Sequence, residues 1–295
     1  MFFLKKHKKI LDFDKKQLSV KIIFNFIALF CGFKKIFQSN NMHQVQMQML
    51  KRERQAFIMK QVNLHNRVLS ADLGLILNVS EDTIRRDLNE LAEIGELVKV
   101  HGGALSKSYH YDYALNTTYA LPEKTIIAQK AATLIEDGMY VMVGGGTTVR
   151  ELVRILPQKL KATFFTISLT TALQLCDHPT IEVIFLGGTL VKNSQISVGG
   201  EVINRLNEIS ADLCILGTNS IDKEGITDSD LEAVQVKKAM IRAAKRTAIV
   251  TISEKLNSAQ RLRIGELNDV DFLVTELLPT DEQLIPYLNS GLIIL

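Results

Sequence analysis

The segment VSEDTIRRDLNELAEIG, residues 79–95, decides the fold of the N-terminal part of the chain. Ser80 is a favoured residue for capping a helix N-terminus, and Gly95 is a natural stop, so the segment predicts one helix that runs to about Ile94. Three apolar residues share one face of this helix and are predicted to face a core: Ile84, Leu88 and Leu91.

The polar residues of this helix point away from that apolar face. Arg85, Arg86 and Asn89 lie about 100 to 200° around the helix from it. Guanidinium groups pair with guanine or phosphate, and an asparagine amide pairs with adenine. However, Glu81 precedes Arg85, and Asp82 precedes Arg86, at the i, i+4 spacing of an ordinary solvated helix. Periodicity alone therefore leaves open both a DNA-binding face and a merely solvated one.

Two helices are predicted before this segment and a wing after it. Residues 45–62 fit one helix, and Ser70 is predicted to cap a second helix of two turns that Asn78 interrupts. Leu97 to Val100, followed by HGGA at 101–104, predict a short strand and a glycine turn. Three helices with a short turn between the last two, followed by a wing, predict a winged helix-turn-helix domain over residues 42–105.

The net charge of +3 does not by itself support nucleic-acid binding. Residues 1–41 contain nine lysines and two aspartates, whereas the rest of the chain contains 26 basic and 30 acidic residues. Residues 42–105 contain eight basic and eight acidic residues. The basic character of the chain therefore belongs to its first 41 residues.

Residues 1–41 are predicted to be a non-domain N-terminal extension. The apolar run from Ile22 to Phe33 is broken by Asn25 and is shorter than the ~20 residues that a membrane-spanning helix needs. No small-residue cleavage site follows the run, and we expect no stable membrane association. Such an extension is either disordered or in contact with a membrane surface, or residues 1–41 are upstream sequence translated from an incorrect start codon, which is the interpretation that we favour. The candidate starts are Met42, Met47 and Met49.

The cysteines and histidines indicate neither disulfides nor a metal site. Cys31, Cys176 and Cys214 are far apart in the sequence, and no histidine stands at ligand spacing from a cysteine or from another histidine. We therefore expect a reducing, cytoplasmic environment, with no metal and no cofactor.

The second half of the chain predicts a different architecture. After a linker at 106–121, helices at 124–135 and 147–156 alternate with short apolar strands. The predicted strands are 140–143, 163–167, 181–186, 213–216, 248–252, 272–274 and 292–294. Such alternation predicts an α/β domain over residues 122–295, with a mostly parallel sheet covered by helices on both faces.

The most informative turn of this domain is GGGTT at 144–148, between a strand and a helix. Glycines let a backbone approach an anion, and the amides of a helix N-terminus favour phosphate. The turn is not a dinucleotide fingerprint, because Val149 stands where a third small residue is required, nor does it have the Gly-Lys-Ser/Thr ending of a P-loop.

Other strand ends carry similar residues. Gly187-Gly188 and 217–220 follow strands, although a glycine after a strand is more often only part of a turn. Together they predict a pocket for a small phosphorylated molecule at the carboxyl ends of the strands. The predicted contacts are Gly145, Gly146, Thr147, Thr148, Thr166, Ser168, Gly187, Gly188 and, as the cation, Lys255.

The sequence resembles the DeoR family of bacterial transcription regulators over roughly residues 49–276. The resemblance lies in KRERQAFIMKQV, VSEDTIRRDLNELAEIGELVKVHGGAL, GGGTTVRELVRIL, VIFLGGTL, ADLCILGTNSIDKEGITD and VTISEKL. It implies a winged helix joined to a sensor domain of ribose-5-phosphate-isomerase-like fold, and a homo-oligomer, dimer or tetramer, that represses a sugar-catabolic operon until a sugar phosphate binds. The residues expected to contact double-stranded operator DNA are Ser80, Thr83, Arg85, Arg86, Asn89, His101 and Gly102.

This chain departs from the family pattern at three polar positions. Gly144 stands where an Asp is usual, Ile167 where an Asn is usual, and Ile252 where an Asp is usual. The resemblance therefore implies phosphate contacts more firmly than contacts to sugar hydroxyls.

Two alternatives to a DNA-binding regulator remain open at this stage. One is a sugar-phosphate isomerase with an appended helix-turn-helix, for which Glu254 and Asp228 would be poor candidates for the general base, and no catalytic residue is predicted. The other is a helix-turn-helix that binds only protein.

Overall fold

The structure is a computed structural model, and it describes residues 50–65, 67–106, 118–192 and 194–295. The predictions made for the extension 1–41, for the start of the first helix and for most of the linker at 106–121 lie outside the described residues. No helix among the described residues has both the length and the apolar character that crossing a bilayer requires.

The N-terminal described region is a winged helix-turn-helix, as the sequence predicts, and we call it the head. Its elements are α1 (Lys51–His65), β1 (Arg67–Leu69), α2 (Ser70–Leu77), α3 (Glu81–Glu93), β2 (Leu97–Val100) and β3 (Gly103–Ser106). The three strands form one antiparallel sheet in the order β1-β3-β2. Strand β1 was not predicted, and the wing therefore has three strands.

The ends of the head helices follow local capping chemistry. The Ser80 side chain accepts a hydrogen bond from the Thr83 backbone N–H at 3.2 Å, and Asn78 ends α2 in the left-handed conformation. The prediction that Ser70 caps α2 is wrong. Ser70 is the first helical residue and the cap position is Leu69, because β1 leads directly into the helix.

A buried ion pair joins α1 to α3 inside the head. The Arg54 Nε lies 2.5 Å from Asp87 Oδ2, and a second guanidinium nitrogen lies 3.1 Å from Oδ1. Asp87 is only 1% exposed, although its neighbours in the sequence are charged and solvated. Around this pair, the head core is apolar and includes Ile58, Leu73, Ile84 and Leu88.

Gly103 is required where β1 and β3 meet. A Cβ atom at this position would lie 1.9 Å from the Val68 carbonyl oxygen, so no other residue fits without moving β1.

The C-terminal described region is the α/β domain that the sequence predicts. Its helices are α4 (Leu121–Ala132), α5 (Thr147–Ile155), α6 (Leu169–Cys176), α7 (Gly200–Asn207) and α8 (Leu231–Arg242). Its strands are β4 (Tyr140–Val143), β5 (Thr163–Thr166), β6 (Glu182–Phe185), β7 (Thr189–Val191), β8 (Ile196–Val198), β9 (Leu213–Gly217), β10 (Ser220–Asp222), β11 (Gly225–Asp228), β12 (Thr247–Val250), β13 (Leu262–Gly265), β14 (Phe272–Val274) and β15 (Ile293–Ile294). Short 3-10 helices span Ser253–Lys255, Leu267–Asp269 and Glu282–Tyr287.

The seven predicted strands form one parallel sheet in the order β15-β14-β12-β9-β4-β5-β6. After β4 the chain moves outward through β5 to β6, and it later returns to place β9 on the other side of β4. The order therefore reverses between β4 and β9, which is the place where open parallel sheets bind ligands. Two small antiparallel sheets, β7-β8 and β10-β11-β13, were not predicted.

Candidate effector cavity and DNA-binding face

A cavity of about 620 Å³ opens at the carboxyl edge of the parallel sheet, at this reversal point. Residues from the ends of β4, β9 and β12 contribute to its wall. The lining residues include Asn63, Lys124, Gly144, Gly145, Gly146, Thr147, Thr148, Ile167, Thr218, Asn219, Asp228, Lys237, Ile252 and Lys255. The cavity is large enough for a small metabolite.

The turn between β4 and α5 presents backbone amides to this cavity. Gly146 has a φ of 102°, a left-handed value that favours glycine, and α5 begins at Thr147. No described side chain caps α5, and the first intrahelical bond runs from the Arg150 N–H to the Gly146 carbonyl at 3.0 Å. The amides of the first helical turn therefore have no intrahelical acceptor, which is the arrangement that binds phosphate.

The glycines of this turn are also fixed by close packing. A Cβ atom at Gly145 would lie 3.1 Å from Ser168 Oγ, and one at Gly144 would lie 3.0 Å from Leu216 Cδ2. A Cβ atom at Gly217 would lie 3.6 Å from the Gly145 carbonyl oxygen, so the turns that follow β4 and β9 are in contact. The glycine turn is thus held against the neighbouring strand end.

Three lysines of the cavity lining and one carboxylate make polar contacts with the protein. Lys255 donates to the Thr218 carbonyl at 3.0 Å, and Lys237 lies 2.6 Å from Asp228 Oδ2. Lys124, which is 7% exposed, donates to the Tyr119 carbonyl. The lysines belong to three different elements, and only the tertiary fold brings them together.

Burial and, for Lys255, the charges of neighbouring lysines change how these side chains bind protons. Burial, together with the charges of Lys124 and Lys237, lowers the pKa of Lys255 to about 7. Burial lowers the pKa of Lys124 to about 8. Although burial opposes it, the nearby Lys237 holds the pKa of Asp228 below its usual value. An anion in the cavity would therefore stabilise the charged forms of the lysines.

The structure places five of the nine predicted effector residues on the cavity wall: Gly145, Gly146, Thr147, Thr148 and Lys255. The other four do not line it. Thr166 and Ser168 are fully buried, and the Ser168 side chain instead caps α6 by accepting from the Thr171 N–H at 3.3 Å.

Gly187 and Gly188 also lie away from the cavity wall, after the edge strand β6. A Cβ atom at Gly188 would lie 2.4 Å from Val202 Cγ2 and 2.8 Å from the Val198 carbonyl oxygen. Gly188 is therefore needed for close packing against β8 and α7.

Sequence analysis did not single out Lys124 and Lys237. Lys237 belongs to the lysine pair 237–238 on α8, and such a pair is ordinarily a solvated helix face. Asp228 was considered only as a poor candidate for a catalytic base, whereas in the structure it is the partner of Lys237.

The last turn of α1 brings the head against the cavity. Asn63 is part of its wall, and Leu64 is buried in the apolar cluster of the α/β domain that includes Ile127 and Val250. Burial, followed by the charge of Lys255, lowers the pKa of the adjacent His65. The head thus contributes directly to the enclosure of the cavity.

Polar contacts reinforce this junction on its outer side. Glu254, which precedes Lys255, accepts a hydrogen bond from the Tyr119 hydroxyl at 2.7 Å and pairs with Lys60 of α1 at 3.3 Å. Arg261 pairs with Asp72 of α2 at 3.1 Å. The junction therefore connects residues next to the cavity with two helices of the head.

On the outer face of α3, both arginines point to solvent. Arg85 pairs with Glu81 at 2.7 Å and Arg86 with Asp82 at 2.7 Å, and the two arginine side chains are 58% and 78% exposed. Asn89 accepts a hydrogen bond from Lys99 of β2. The i, i+4 pairs that the spacing predicts are thus present, and this face is open to a partner.

The two residues of the wing turn, His101 and Gly102, are exposed. Gly102 has a φ of 76°, and its carbonyl accepts a hydrogen bond from the Ser70 N–H at 2.8 Å. This bond fixes the wing turn relative to α2. No group of three or more His, Cys, Asp or Glu residues within the described ranges could hold a metal ion.

Two family models match this chain. The model described as "DeoR C terminal sensor domain" matches residues 120–277, and the model described as "DeoR-like helix-turn-helix domain" matches residues 54–109. The α/β domain is called the sensor domain from here on.

Curated relatives agree with these matches. The chain is 33% identical to the HTH-type transcriptional repressor GlcR of Bacillus subtilis, over 78% of this chain and 90% of that protein. It is 33% identical to the glycerol-3-phosphate regulon repressor of Haemophilus influenzae, over 79% and 91%. It is also 30% identical to the L-fucose operon activator of Escherichia coli, over 77% and 96%.

A solved structure of ribose 5 phosphate isomerase A from Neisseria gonorrhoeae is 16% identical to this chain, with a TM-score of 0.33 over 45% of this chain and 52% of that chain.

The relatives are regulators, and this contradicts the alternative of an isomerase with an appended helix-turn-helix. The helix-turn-helix, the sensor domain and the similarity to named repressors together place this chain in the DeoR family of DNA-binding transcriptional regulators.

Proposed function

We propose that this regulator is a cytoplasmic repressor of a carbohydrate-catabolism operon and that a phosphorylated sugar, bound in the cavity of the sensor domain, releases it from its operator. The observation that carries this proposal is the uncapped glycine turn at 144–146, which faces the same cavity as Lys255. Backbone amides and a nearby cation are the usual means by which proteins bind a phosphate.

Within this proposal, the phosphate contacts come from Gly145, Gly146, Thr147, Thr148 and Lys255. The amides of the helix start bind phosphate oxygens, and the two threonine hydroxyls donate further hydrogen bonds. The positive end of the α5 dipole adds a favourable interaction with the anion.

DNA recognition is assigned to α3 and the wing. Arg85, Arg86 and Asn89 read base edges in a major groove, with Ser80 and Thr83 at the helix N-terminus positioned for phosphate contacts. His101 and Gly102 contact the DNA from the wing. A homo-oligomer, dimer or tetramer, would present two heads to two half-sites of one operator.

The junction between α1 and the sensor domain supplies the coupling between the two sites. A ligand changes DNA affinity only if it binds two arrangements of the protein with different affinities. Because Asn63 belongs to the cavity wall, and Glu254 joins Lys60 to the segment that carries Lys255, a ligand in the cavity interacts with groups that also hold the head.

A carboxylate in the phosphate turn should produce a repressor that no longer responds to its effector. In Thr148→Asp, the negative charge is favourable at the start of α5 but repels a phosphate. Operator affinity without ligand should remain within about twofold of wild type, whereas millimolar sugar phosphate should no longer release the DNA. Fluorescence anisotropy with the protein's own promoter, titrated with glycerol 3-phosphate, glucose 6-phosphate and fructose 6-phosphate, measures both effects.

Thr148→Val is the matched control, because it removes the hydroxyl without adding charge. Its response should weaken by about 0.5–1.5 kcal/mol, the contribution of one hydrogen bond, rather than disappear. Full release of Thr148→Asp by the sugar phosphate that releases wild type would contradict the phosphate site.

The affinity for the phosphorylated ligand should fall as the pH rises from 7 to 9. The pKa of Lys255 is lowered to about 7, so this lysine is charged below pH 7 and mostly neutral at pH 9 in the empty cavity. Binding a dianion above pH 7 then requires proton uptake, which costs up to about tenfold in affinity per pH unit. The phosphate itself is already a dianion in this range, since its second pKa is about 6.

Lys255→Arg separates the titration of Lys255 from that of other groups in the protein, because an arginine keeps its charge from pH 7 to pH 9. Calorimetric titrations between pH 7 and pH 9 should give a shallower slope for the variant. Equal slopes in the two proteins would show that Lys255 does not bind the anion.

A further inference from the structure

The last turn of α1 places a residue of the head in the lining of the effector cavity. Among the described residues of the head, Asn63 alone belongs to this lining. Its two neighbours in the chain pack elsewhere, Val62 in the head core and Leu64 in the apolar cluster of the sensor domain. Successive residues of a helix point in different directions, so α1 can contact the sensor domain through Leu64 and present Asn63 to the cavity.

The amide of Asn63 is only partly used by the protein. The Ser106 hydroxyl, at the end of β3, donates to Asn63 Oδ1 at 3.1 Å, and Ser106 is buried. In the part of the chain that the structure describes, no group accepts a hydrogen bond from Asn63 Nδ2. An amide nitrogen carries two N–H donors. The acceptor of this amide is thus satisfied within the head, and its donors are available to a ligand in the cavity.

The position of Asn63 at the cavity depends on how α1 lies against the sensor domain. Leu64 is 6% exposed in the cluster that it joins. His65 Nδ1 lies 3.4 Å from Gln260 Nε2, and the Gln260 N–H in turn donates to Thr227 Oγ1 at 2.8 Å. These contacts follow Asn63 directly in the chain. If α1 moved away from the sensor domain, Asn63 would leave the cavity with it.

We propose that Asn63 Nδ2 donates a hydrogen bond to an oxygen of the bound effector, so that one ligand contacts the sensor domain and the head at once. This inference rests on the proposed function and deepens it, because it assigns a ligand contact to the head. The contact forms only while α1 lies against the sensor domain, and operator binding moves α1 from this position. It therefore supplies a difference in ligand affinity between two arrangements, which release of the operator requires.

Asn63→Asp separates this role from a purely structural one. An aspartate keeps an acceptor for the Ser106 hydroxyl, but it puts a carboxylate oxygen where the amide nitrogen donates. If Asn63 only joined α1 to β3, the aspartate would serve equally well. If Asn63 binds the effector, the variant should bind an anionic ligand about tenfold more weakly or worse, because it loses a donor and repels the anion.

Calorimetric titrations of the full chain at pH 7 measure this affinity. The probe is whichever of glycerol 3-phosphate, glucose 6-phosphate, fructose 6-phosphate and inorganic phosphate binds wild type most tightly. Asn207→Asp is the matched control for the added charge. Asn207 is an exposed asparagine at the end of α7 and lies outside the cavity lining, so this variant should bind the probe as wild type does.

Two neutral variants measure the hydrogen bond without adding charge. Ser106→Ala removes the hydroxyl, and Asn63→Ala/Ser106→Ala removes the amide as well, so neither variant leaves the Ser106 hydroxyl without the Asn63 acceptor. The double variant should bind the probe about three- to tenfold more weakly than Ser106→Ala, as expected for one hydrogen bond. Circular dichroism checks that both variants are folded at the temperature of the titration.

Anisotropy titrations of the operator test the regulatory consequence. For each protein the readout is the ratio of the operator affinity without probe to the operator affinity with saturating probe. This ratio is independent of any change that a variant makes to operator binding alone. Because linkage between two ligands is reciprocal, the ratio should be smaller in the double variant than in Ser106→Ala by about the factor lost in probe affinity.

Unchanged probe affinity in Asn63→Asp, or equal probe affinities in Ser106→Ala and the double variant, would overturn this inference and leave the proposed function intact. Weaker probe binding in the double variant with an unchanged ratio of operator affinities would overturn the dependence of the contact on the position of α1. Failure of all four probes to bind wild type would overturn the inference together with the proposed function.

Discussion

Arg85→Ala/Arg86→Ala is expected to reduce operator affinity by about thirtyfold or more. Each bidentate contact between a guanidinium and a guanine contributes about 1–3 kcal/mol, so two contacts give about 2–6 kcal/mol. In the unbound protein both guanidinium groups are held by the carboxylates one turn earlier, and both are exposed. Such exposed pairs contribute only about 0.3–0.5 kcal/mol, so DNA can replace them.

The measurement is an anisotropy titration against the promoter and against scrambled DNA at two salt concentrations. The variant should lose specificity for the promoter, and its binding should depend less steeply on salt, because two cationic contacts to DNA are gone. Arg205→Ala is the control: Arg205 is an exposed arginine on α7 of the sensor domain, and its loss should leave operator affinity unchanged.

A second control separates DNA recognition from the ordinary solvated-helix interpretation of the same residues. Glu81→Ala breaks the ion pair of Arg85 while keeping the arginine. If the pair of Glu81 with Arg85 only stabilises α3, Glu81→Ala and the double arginine variant should weaken operator binding to a similar, small extent. If the arginine binds DNA, Glu81→Ala should bind as well as wild type or better. Wild-type operator affinity in the double arginine variant would exclude α3 as the recognition helix.

Some features of this fold could be predicted because neighbouring residues determine them. The start of α3 depends on the hydroxyl of Ser80, three residues from the amide that it caps. The strands of the parallel sheet are short apolar runs between helices, since strands covered on both faces are buried throughout. The Ser80 cap and the apolar runs can both be recognised without knowing which distant segment packs or pairs with them.

Other features could not be predicted because distant residues determine them. Strand β1 has three residues and pairs with β3, which lies more than thirty residues later. The sheet β10-β11-β13 likewise depends on β13, far from the hairpin that it extends. Short strands of this kind carry little periodic signal, so only the tertiary pairing reveals them.

In the candidate site, too, some residues could be predicted from the local sequence and others are placed only by the tertiary fold. The glycine turn at 144–146 could be predicted from the local pattern of strand, glycines and helix. Gly188 has a similar pattern but serves to let β6 approach α7 and β8, and sequence cannot distinguish close packing from ligand approach. Lys124 and Lys237 reach the cavity from α4 and α8, and their positions depend on how these helices pack.

Asp87 is a further case in which the sequence is misleading, and its replacement should have the largest effect on stability. The residue stands directly after the two arginines of the proposed DNA-binding face, yet it lies in the core of the head with Arg54. Asp87→Ala leaves a mostly buried guanidinium without its partner. Breaking such a pair costs about 3–5 kcal/mol, a large fraction of the stability of a small domain.

We therefore expect Asp87→Ala to unfold the head at a temperature well below that of wild type and to lose operator binding. Calorimetry and circular dichroism report the unfolding, and the anisotropy titration reports the DNA. Asp82→Ala, at an exposed acid of the same helix, should change the unfolding temperature little, because exposed pairs contribute little to stability.

The double variant Arg54→Met/Asp87→Leu distinguishes a structural role of this pair from a direct role in DNA recognition. Well-packed apolar residues in place of a buried ion pair are often neutral or stabilising, so the double variant should recover most of the lost stability. Because Arg85 and Arg86 are then presented again on a folded α3, operator binding should return with it. If stability returned and binding did not, Asp87 or Arg54 would have to contribute to DNA recognition itself, in conflict with their burial between α1 and α3.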